Sequence, residues 1–283
     1  MRKAVIFEEK LARGSLWLSV MLTLGILFTI LFHVISQGIT GINWGFLTEM
    51  PREMGKEGGV FPAIIGTIYL VAVALSVATP IGVMAGIYLT EYTKKGKFVS
   101  AVRFFSETLA GIPSIVFGLF GFLFFVLFLD WGWSIISGGL TVALMILPTI
   151  VRTTEEAIKS VPLSFREGSL ALGATRWQTV YKIVLPTALP GIVTGIILGV
   201  GRVVGETAAV YLTAGMSGFQ VPTSVWDPAR TLSVHLYILA SEGISFEKAY
   251  ATATVLIILI FIINFIANKI MRLMIRNRQS AEV

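Results

Sequence analysis

The chain has 283 residues, of which 55% are hydrophobic and 13% charged. Soluble domains carry roughly 25% charged residues, so this composition excludes a soluble globular protein. Its apolar blocks of about 20 residues match the length of a membrane-spanning helix, whereas spanning strands would alternate over about 10 residues. The predicted fold class is therefore an all-α integral membrane protein. Because the sequence contains no cysteine, disulfides, thiolate metal sites and thiol nucleophiles are also excluded.

Six apolar segments are predicted to span the bilayer as helices. They are Leu16–Gln37, Phe61–Leu89, Leu109–Leu129, Gly132–Val151, Leu189–Ala214 and Tyr250–Ala267. The first is interpreted as an anchor, because it exceeds a normal signal-peptide core and no small-residue cleavage pattern follows it. Pro80, Pro113 and Pro148 lie inside or at the end of spans and predict kinks or breaks there.

The basic residues lie mainly on one side of the predicted membrane. The two tails and the second and fourth connections hold 17 lysines and arginines, against four in the opposite connections. Loops rich in Lys and Arg stay in the cytoplasm, so both termini are predicted to be cytoplasmic. The pI of about 9.6 is thus interpreted as a topological signal, and no nucleic-acid partner is expected.

The longest cytoplasmic connection, residues 152–188, is predicted to form two short helices. Ser164–Glu167 and Thr175–Gln178 both fit the capping-box pattern, in which a Ser or Thr and a later Glu or Gln satisfy each other's backbone N–H groups. Gly173 suits the left-handed position after a helix, and Pro186 is expected to stop the second helix.

The same connection carries large apolar side chains although it lies outside the bilayer. They are Phe165, Leu170, Leu172 and Trp177. An amphipathic connector on its own bundle or at the lipid interface would explain them. A docking element that inserts into a groove on a cytoplasmic partner would explain them equally well.

The stretch Glu167–Pro186 resembles the EAA loop of ABC-importer permeases. The residues that match its spaced pattern are Glu167, Gly173, Ile183, Leu185 and Pro186, and Gly168 and Ser169 stand in place of two alanines. The resemblance implies that this loop is a coupling helix seated in a cleft of an ATPase subunit. The chain has no G-x-x-x-x-G-K-[ST] phosphate loop of its own, so the energy is expected to come from a partner.

Three further blocks resemble the phosphate-specific transport permeases: Leu109–Gly121, Gly201–Val210 and Ala229–Gly243. The last is closer to the PstA-type than to the PstC-type subunit. The resemblance implies six helices in the type I ABC importer permease fold. It also implies a heterodimer with a PstC-type sister permease, a PstB-type ATPase dimer that binds ATP and Mg, and an extracytoplasmic phosphate-binding protein. No cofactor and no catalytic site are expected in this chain.

The same resemblance predicts three parts of the chain. Residues 1–60 form the N-terminal cytoplasmic tail, the first helix and an outer loop. Residues 61–271 form the ABC transmembrane type-1 permease domain, with its coupling loop at 152–188, and residues 272–283 form a cytoplasmic C-terminal tail.

The fifth predicted span carries two charged residues near its middle, Arg202 and Glu206. At about 100° per residue they share one helix face with Gly191, Gly195, Gly199, Ala209 and Thr213. A charge at mid-membrane costs at least about 2.5 kcal/mol. One interpretation is a structural ion pair. The other is an anion site on the translocation path, where the guanidinium matches phosphate and the glutamate prevents overly tight binding.

The remaining polar residues are less informative. Arg103 and Glu107 are predicted to form a structural pair at the start of the third span. His33 and His235 are far apart, so no metal site is expected. The outer segment Ser217–Lys248 fits either a contact with the binding protein or a cap over the pore.

Three alternative functions remain open at this stage. The chain could transport another oxyanion, such as sulfate or molybdate, with the same architecture. It could be a secondary transporter or channel that needs no ATPase. It could also be a membrane scaffold whose ion pair is purely structural.

Overall fold

The computed structural model describes residues 2–93, 96–216 and 220–279. The longer helices are α1 (Arg2–Gly38), α3 (Phe61–Ile87), α4 (Lys97–Gly111), α6 (Ile135–Lys159), α9 (Leu185–Gly205), α11 (Leu232–Ser241) and α12 (Phe246–Gln279). The shorter ones are α2 (Trp44–Thr48), α5 (Ser114–Gly121), α7 (Leu163–Ala171), α8 (Arg176–Thr179) and α10 (Ala208–Thr213). The basic residues Lys94 and Lys95, the start of the outer segment at Ser217 and the end of the C-terminal tail, 280–283, lie outside the described residues.

Five helical segments are long and apolar enough to cross a membrane, and a bent pair makes a sixth. The five are Glu9–Gly41, Phe61–Tyr92, Ile135–Lys159, Arg176–Gly205 and Phe246–Leu273. The bent pair joins Lys97–Gly111 to Ser114–Phe128 at 100°. The prediction of a helical membrane protein with six spans is confirmed in this form.

The third span is bent close to its predicted start at Leu109. Ile112 and Pro113 both have extended backbones, with ψ of 133° and 142°, so the chain turns sharply between α4 and α5. A residue before proline is driven out of the α-helical region, which explains a break at this position. Residues 109–111 consequently belong to α4, and the segment predicted as one helix from Leu109 is divided at residues 112–113.

Helix α6 lies at the centre of the bundle and packs against α3, α9, α5 and α10. Glycines bring the neighbouring backbones close to it: a Cβ at Gly195 of α9 would overlap Thr153 Oγ1, and one at Gly82 of α3 would lie 2.7 Å from Ile150 Cγ2. In a bilayer the tails are as apolar as leucine, so helices associate through such close packing. The glycines of the fifth span thus allow α9 to approach α6 closely.

The fifth span differs from its prediction at both ends. Helix α9 ends at Gly205, Glu206 is extended with ψ of 130°, and α10 starts at Ala208. The predicted continuous helix Leu189–Ala214 is therefore wrong. Pro186 also does not stop the preceding helix, because a π-helical turn over Val180–Val184 joins α8 to α9. Such a turn rearranges the hydrogen bonds before the proline and lets the chain keep its direction.

Two short strands and helix α11 lie on the side of the bundle that is predicted to face outward. Strands β1 (Pro51–Arg52) and β2 (Glu57–Gly58) pair antiparallel, with Pro51 opposite Gly58. Helix α11 lies against α12 and α3, with Leu232, Val234 and Leu239 fully buried.

Candidate coupling loop and anion path

The loop predicted to be cytoplasmic, residues 152–188, forms the two predicted short helices, but only the second starts as predicted. Helix α7 begins at Leu163 after the extended Pro162 and has no side-chain cap, so Ser164 lies inside the helix and the first capping box is wrong. The Thr175–Gln178 capping box is confirmed, with Gln178 N donating to Thr175 Oγ1 at 3.3 Å and Thr175 N to Gln178 Oε1 at 2.8 Å. Gly173 has the predicted left-handed backbone, with φ of +81°.

The large apolar side chains of this loop point away from the protein. We call Phe165, Leu170, Leu172 and Trp177 the apolar knob. Leu172 is 91% exposed and Trp177 64% exposed, and α7 has no buried residue. The knob does not lie on its own bundle, which leaves the lipid interface and a groove on a partner as the explanations predicted for it.

The residues that match the EAA pattern divide into two groups. Glu167, Gly168 and Gly173 are exposed on the loop, next to the knob. Ser169 is half-buried, and its hydroxyl lies 2.9 Å from Thr179 Oγ1, which joins α7 to α8. Ile183, Leu185 and Pro186 are half-buried at the base, where Leu185 packs against the apolar cluster at the end of α6.

An arginine that the sequence analysis overlooked anchors this loop to the bundle. Arg166 donates from Nε and Nη2 to Glu91 Oε1, at 3.0 and 2.8 Å. It also donates to the carbonyls of Val161 and Ile158, both at 2.8 Å. The pair joins residues 75 positions apart, so no helical spacing predicts it. The available signal was Glu91 itself, an acidic residue immediately after a long apolar span.

Arg202 lies in the last turn of α9 and is half-buried. Among the described residues its guanidinium has no hydrogen-bond or ion-pair partner, and the predicted pair with Glu206 is absent. The carboxylate of Glu206 instead accepts from Ala209 N at 3.3 Å, and its carbonyl accepts from Ser233 Oγ at 2.6 Å. The pairing fails because α9 ends before Glu206, which removes the helical spacing on which it depended.

Arg202 is thus a cationic side chain without a hydrogen-bond or ion-pair partner among the described residues. A guanidinium has five N–H donors in a fixed planar fork, which suits a tetrahedral oxyanion or a carboxylate. The carbonyl end of α9 offsets part of the cost of the charge through the helix dipole. Arg202 can therefore receive an anion or an acidic group from outside this chain.

Arg103 forms the predicted kind of contact with a different partner. Its Nη2 lies 2.8 Å from Glu155 Oε2 on α6, so the predicted pair with Glu107 is wrong. Glu107 lines a cavity of 340 Å³ between α4 and α6 together with Arg103, Arg152, Glu155 and Lys159. A packed helix thus supplies a nearer carboxylate than the neighbouring turn of α4.

The two histidines lie in separate places. His33 is 3.5 Å from Tyr250 Oη. His235 on α11 is buried, with Nδ1 3.2 Å from Arg230 Nη1. Within the described ranges no group of three or more His, Asp or Glu residues could hold a metal ion.

Residues 78–279 match the family described as binding-protein-dependent transport system inner membrane component. The chain belongs to this family. It is 35% identical over 274 residues to the probable ABC transporter permease protein YqgI of Bacillus subtilis, covering 92% of this chain and 93% of that protein. It is 33% identical to the phosphate transport system permease protein PstA of Haemophilus influenzae, covering 90% of each chain. The PstA 2 protein of Mycobacterium tuberculosis is 34% identical, over 92% and 89%.

Solved structures of transport permeases share the fold of this permease. A bacterial alginate ABC transporter matches with a TM-score of 0.69 at 17% identity, over 94% of this chain and 97% of that one. The MetNI methionine ABC transporter matches with a TM-score of 0.62 at 23% identity, over 74% and 93%. The type I importer permease fold expected from the EAA resemblance is confirmed. The domain bounds at residues 61 and 271 stay a prediction.

Proposed function

We propose that this permease is the PstA-type membrane subunit of an ATP-driven importer of inorganic phosphate. It forms half of the translocation path with a PstC-type sister permease. A PstB-type ATPase dimer binds ATP and Mg and hydrolyses the nucleotide, and an extracytoplasmic protein delivers phosphate. The relatives named phosphate transport system permease protein support the substrate. The observation that carries the proposal is the exposed apolar knob on an anchored loop, in a chain without a nucleotide-binding motif.

The knob has the composition of a docking surface. Aromatic and large aliphatic side chains dominate the energetics of protein interfaces, and here they project from a loop whose two helices are joined by the contact between Ser169 and Thr179 and which continues into α9. A loop already held in its bound conformation loses less entropy on binding. The excess of basic residues in the tails and loops favours a cytoplasmic position for this side of the protein, where an ATPase subunit is accessible.

Arg202 is the residue we assign to phosphate. Binding of an anion offsets the free-energy cost of placing the guanidinium charge in the bilayer. Arg202 also lies next to the break between α9 and α10, and discontinuous helices of this kind form the substrate sites of many transporters. Glu206 lies just beyond the break, where its negative charge opposes tight retention of phosphate. Release is as necessary as binding for conduction.

Docking is tested by co-purification of tagged permease from its native membrane with mass spectrometry. An ATPase subunit is expected in the complex, and Leu172→Asp should remove it, since a charge at a 91% exposed position cannot unfold the core. Trp44→Asp, at a 79% exposed position on α2 and outside the candidate membrane spans, is the matched control and should retain the ATPase. Absence of any ATPase with the unaltered chain would favour a secondary transporter or a scaffold.

Substrate and path are tested by uptake into vesicles that contain the complete complex. ATP-dependent uptake of labelled phosphate is expected, with excess sulfate or molybdate competing poorly. Arg202→Gln should abolish uptake while the complex still assembles, and Arg202→Lys, which keeps the charge without the fork, should retain part of it. Arg52→Gln, on the exposed outer hairpin, should transport normally. Normal uptake by Arg202→Gln would refute the assigned role.

A further inference from the structure

We infer that Arg166 and Glu91 form a mechanical joint that transmits movement of the coupling loop to helix α3. Arg166 is a positioning residue in this role, because it acts through the helix ends that it holds. The inference rests on the proposed docking of an ATPase to the loop. It assigns to the pair a function separate from docking, since neither residue belongs to the knob.

The contacts of Arg166 join three elements at one point. Two of its nitrogens donate to Glu91 Oε1 in the π-helical turn Tyr88–Tyr92 that ends α3, and two of its donations reach carbonyls at the end of α6. The side chains are only 17% and 9% exposed, so solvent and salt screen the ion pair weakly. A lysine could not reproduce this set of bonds, because they use the planar fork of the guanidinium.

The loop is also joined to the bundle through the backbone at both of its ends, because α6 leads into it at Lys159 and α8 leads out of it towards α9. The helix from Arg176 to Gly205 runs unbroken from the loop into the membrane, so displacement of the loop moves α9 directly. Helix α3 has no such covalent continuity with the loop. Arg166 provides the missing link to α3 through its ion pair with Glu91. The Arg176 guanidinium, 5.7 Å from the centre of the Tyr92 ring, adds a contact at the same end of α3.

The packing of the bundle shows what the joint would move. Helix α3 lies against α6 with glycine-mediated contacts at Gly82 and Gly86, which face Ile150 and Thr154. Close-packed helices move as units because a tight interface does not deform continuously. With the joint intact, a displaced loop carries α3, α6 and α9 together. Without it, α3 receives the displacement only through helix packing, and less of the movement that the ATPase imposes on the loop reaches α3.

The test uses the absence of cysteine from this chain. Tyr88→Cys introduces a single labelling site at a 53% exposed position on the end of α3, for an environment-sensitive fluorophore. In the reconstituted complex, ATP with vanadate should change the fluorescence. Glu91→Gln and Arg166→Lys should each reduce that change about tenfold, a typical size for coupling between sites, while the ATPase still co-purifies and hydrolyses ATP.

Two comparisons separate this role from a purely structural one. Glu91→Asp keeps the charge but shortens the side chain, so it should give an intermediate response. Arg52→Gln, which breaks the exposed outer pair with Glu49, should leave the response unchanged. A wild-type response from every Glu91 and Arg166 variant that assembles with the ATPase would overturn the inference. So would a loss of response that merely follows the amount of assembled complex.

The same experiment distinguishes failure of the joint from failure of the proposed function. If the unaltered permease responds to nucleotide but takes up no phosphate, the substrate is wrong and the joint stands. If no ATPase co-purifies with the unaltered permease, both the docking proposal and the joint are refuted. If uptake is normal and Glu91→Gln retains the full fluorescence change, only the joint is refuted.

Discussion

Arg103 donates from both Nε and Nη2 to Glu155 Oε2, at 3.1 and 2.8 Å, and thereby fastens α4 to the C-terminal end of α6. Lys159 Nζ lies 3.1 Å from the same oxygen. The Glu155 side chain is only 6% exposed, so its negative charge depends on these two cations for compensation. The contact holds the helix that precedes the 100° bend against the central helix of the bundle.

Removing Arg103 should destabilise the permease by about 1 kcal/mol, because Glu155 is then left buried with Lys159 alone; the half-exposed position of Arg103 limits the effect. Thermal unfolding of Arg103→Gln in detergent should show a lowered Tm. Glu107→Gln is the matched control and should leave Tm unchanged, since Glu107 is not the partner of Arg103. Equal losses in the two variants would contradict the pairing seen in the structure.

A side chain at position 195 should disrupt the packing of α9 against α6. A Cβ there would overlap Thr153 Oγ1, whereas one at Gly201 of the same helix meets nothing within 4 Å. Overpacking typically costs about 1–3 kcal/mol, so Gly195→Ala should lower Tm and the yield of folded protein. Gly201→Ala should keep or raise Tm, because alanine is the better helix former by up to about 1 kcal/mol. The ranking fails if Gly201→Ala is the more damaging change.

The two glycines of the coupling loop should respond oppositely to alanine. Gly173 has φ of +81° and no atom within 4 Å of a Cβ, so Gly173→Ala meets backbone strain of about 1–2 kcal/mol without any clash. Gly168 lies inside α7, also without neighbours, and Gly168→Ala should strengthen that helix. ATPase co-purification should fall for Gly173→Ala and be equal or higher for Gly168→Ala. A weaker complex with Gly168→Ala would show that the knob needs a flexible helix.

His235 should make the permease sensitive to acid. Burial, followed by the charge of Arg230, lowers the pKa of His235 from 6.5 to about 4 in the folded protein. The unfolded chain therefore binds more protons between those two values, and stability falls as pH drops through that window by up to about 1.4 kcal/mol per pH unit. Helix α11 lies outside the candidate membrane spans.

The measurement is the change in Tm between pH 6.5 and pH 4 for the wild-type chain and for His235→Gln. Glutamine keeps an acceptor for Arg230 but does not titrate, so its Tm should decline less over this range. Parallel Tm curves for the two proteins would show that other groups cause the acid sensitivity.

Local sequence patterns predicted much of the fold because they depend on near neighbours. Long apolar blocks predict membrane helices, Thr175 and Gln178 form a capping box from residues three positions apart, and Gly173 takes the left-handed conformation that favours glycine. The first capping box fails for an equally local reason. The helix that follows Pro162 already starts at Leu163, so Ser164 lies inside α7 and cannot be its N-cap.

The position of the EAA-like loop was predictable because its pattern lies within one continuous stretch of the sequence. The spacing from Glu167 to Pro186 is a property of consecutive residues, and the exposure of Leu172 and Trp177 agrees with the docking interpretation. The anchoring of that loop through Glu91 was not predictable. Its two residues lie far apart in the sequence, and nothing in either neighbourhood indicates the other.

The sequence by itself determined the class of the protein, its number of spans and the position of its EAA-like loop, since hydropathy and spacing are read along a chain. Only the tertiary structure determined which oppositely charged side chains form ion pairs. Arg103 pairs with Glu155 and Arg166 pairs with Glu91, whereas Arg202 has no partner in the described part of the chain. The physical reason is that an ion pair depends on a distance of a few ångströms, and only the packing of helices brings distant residues that close.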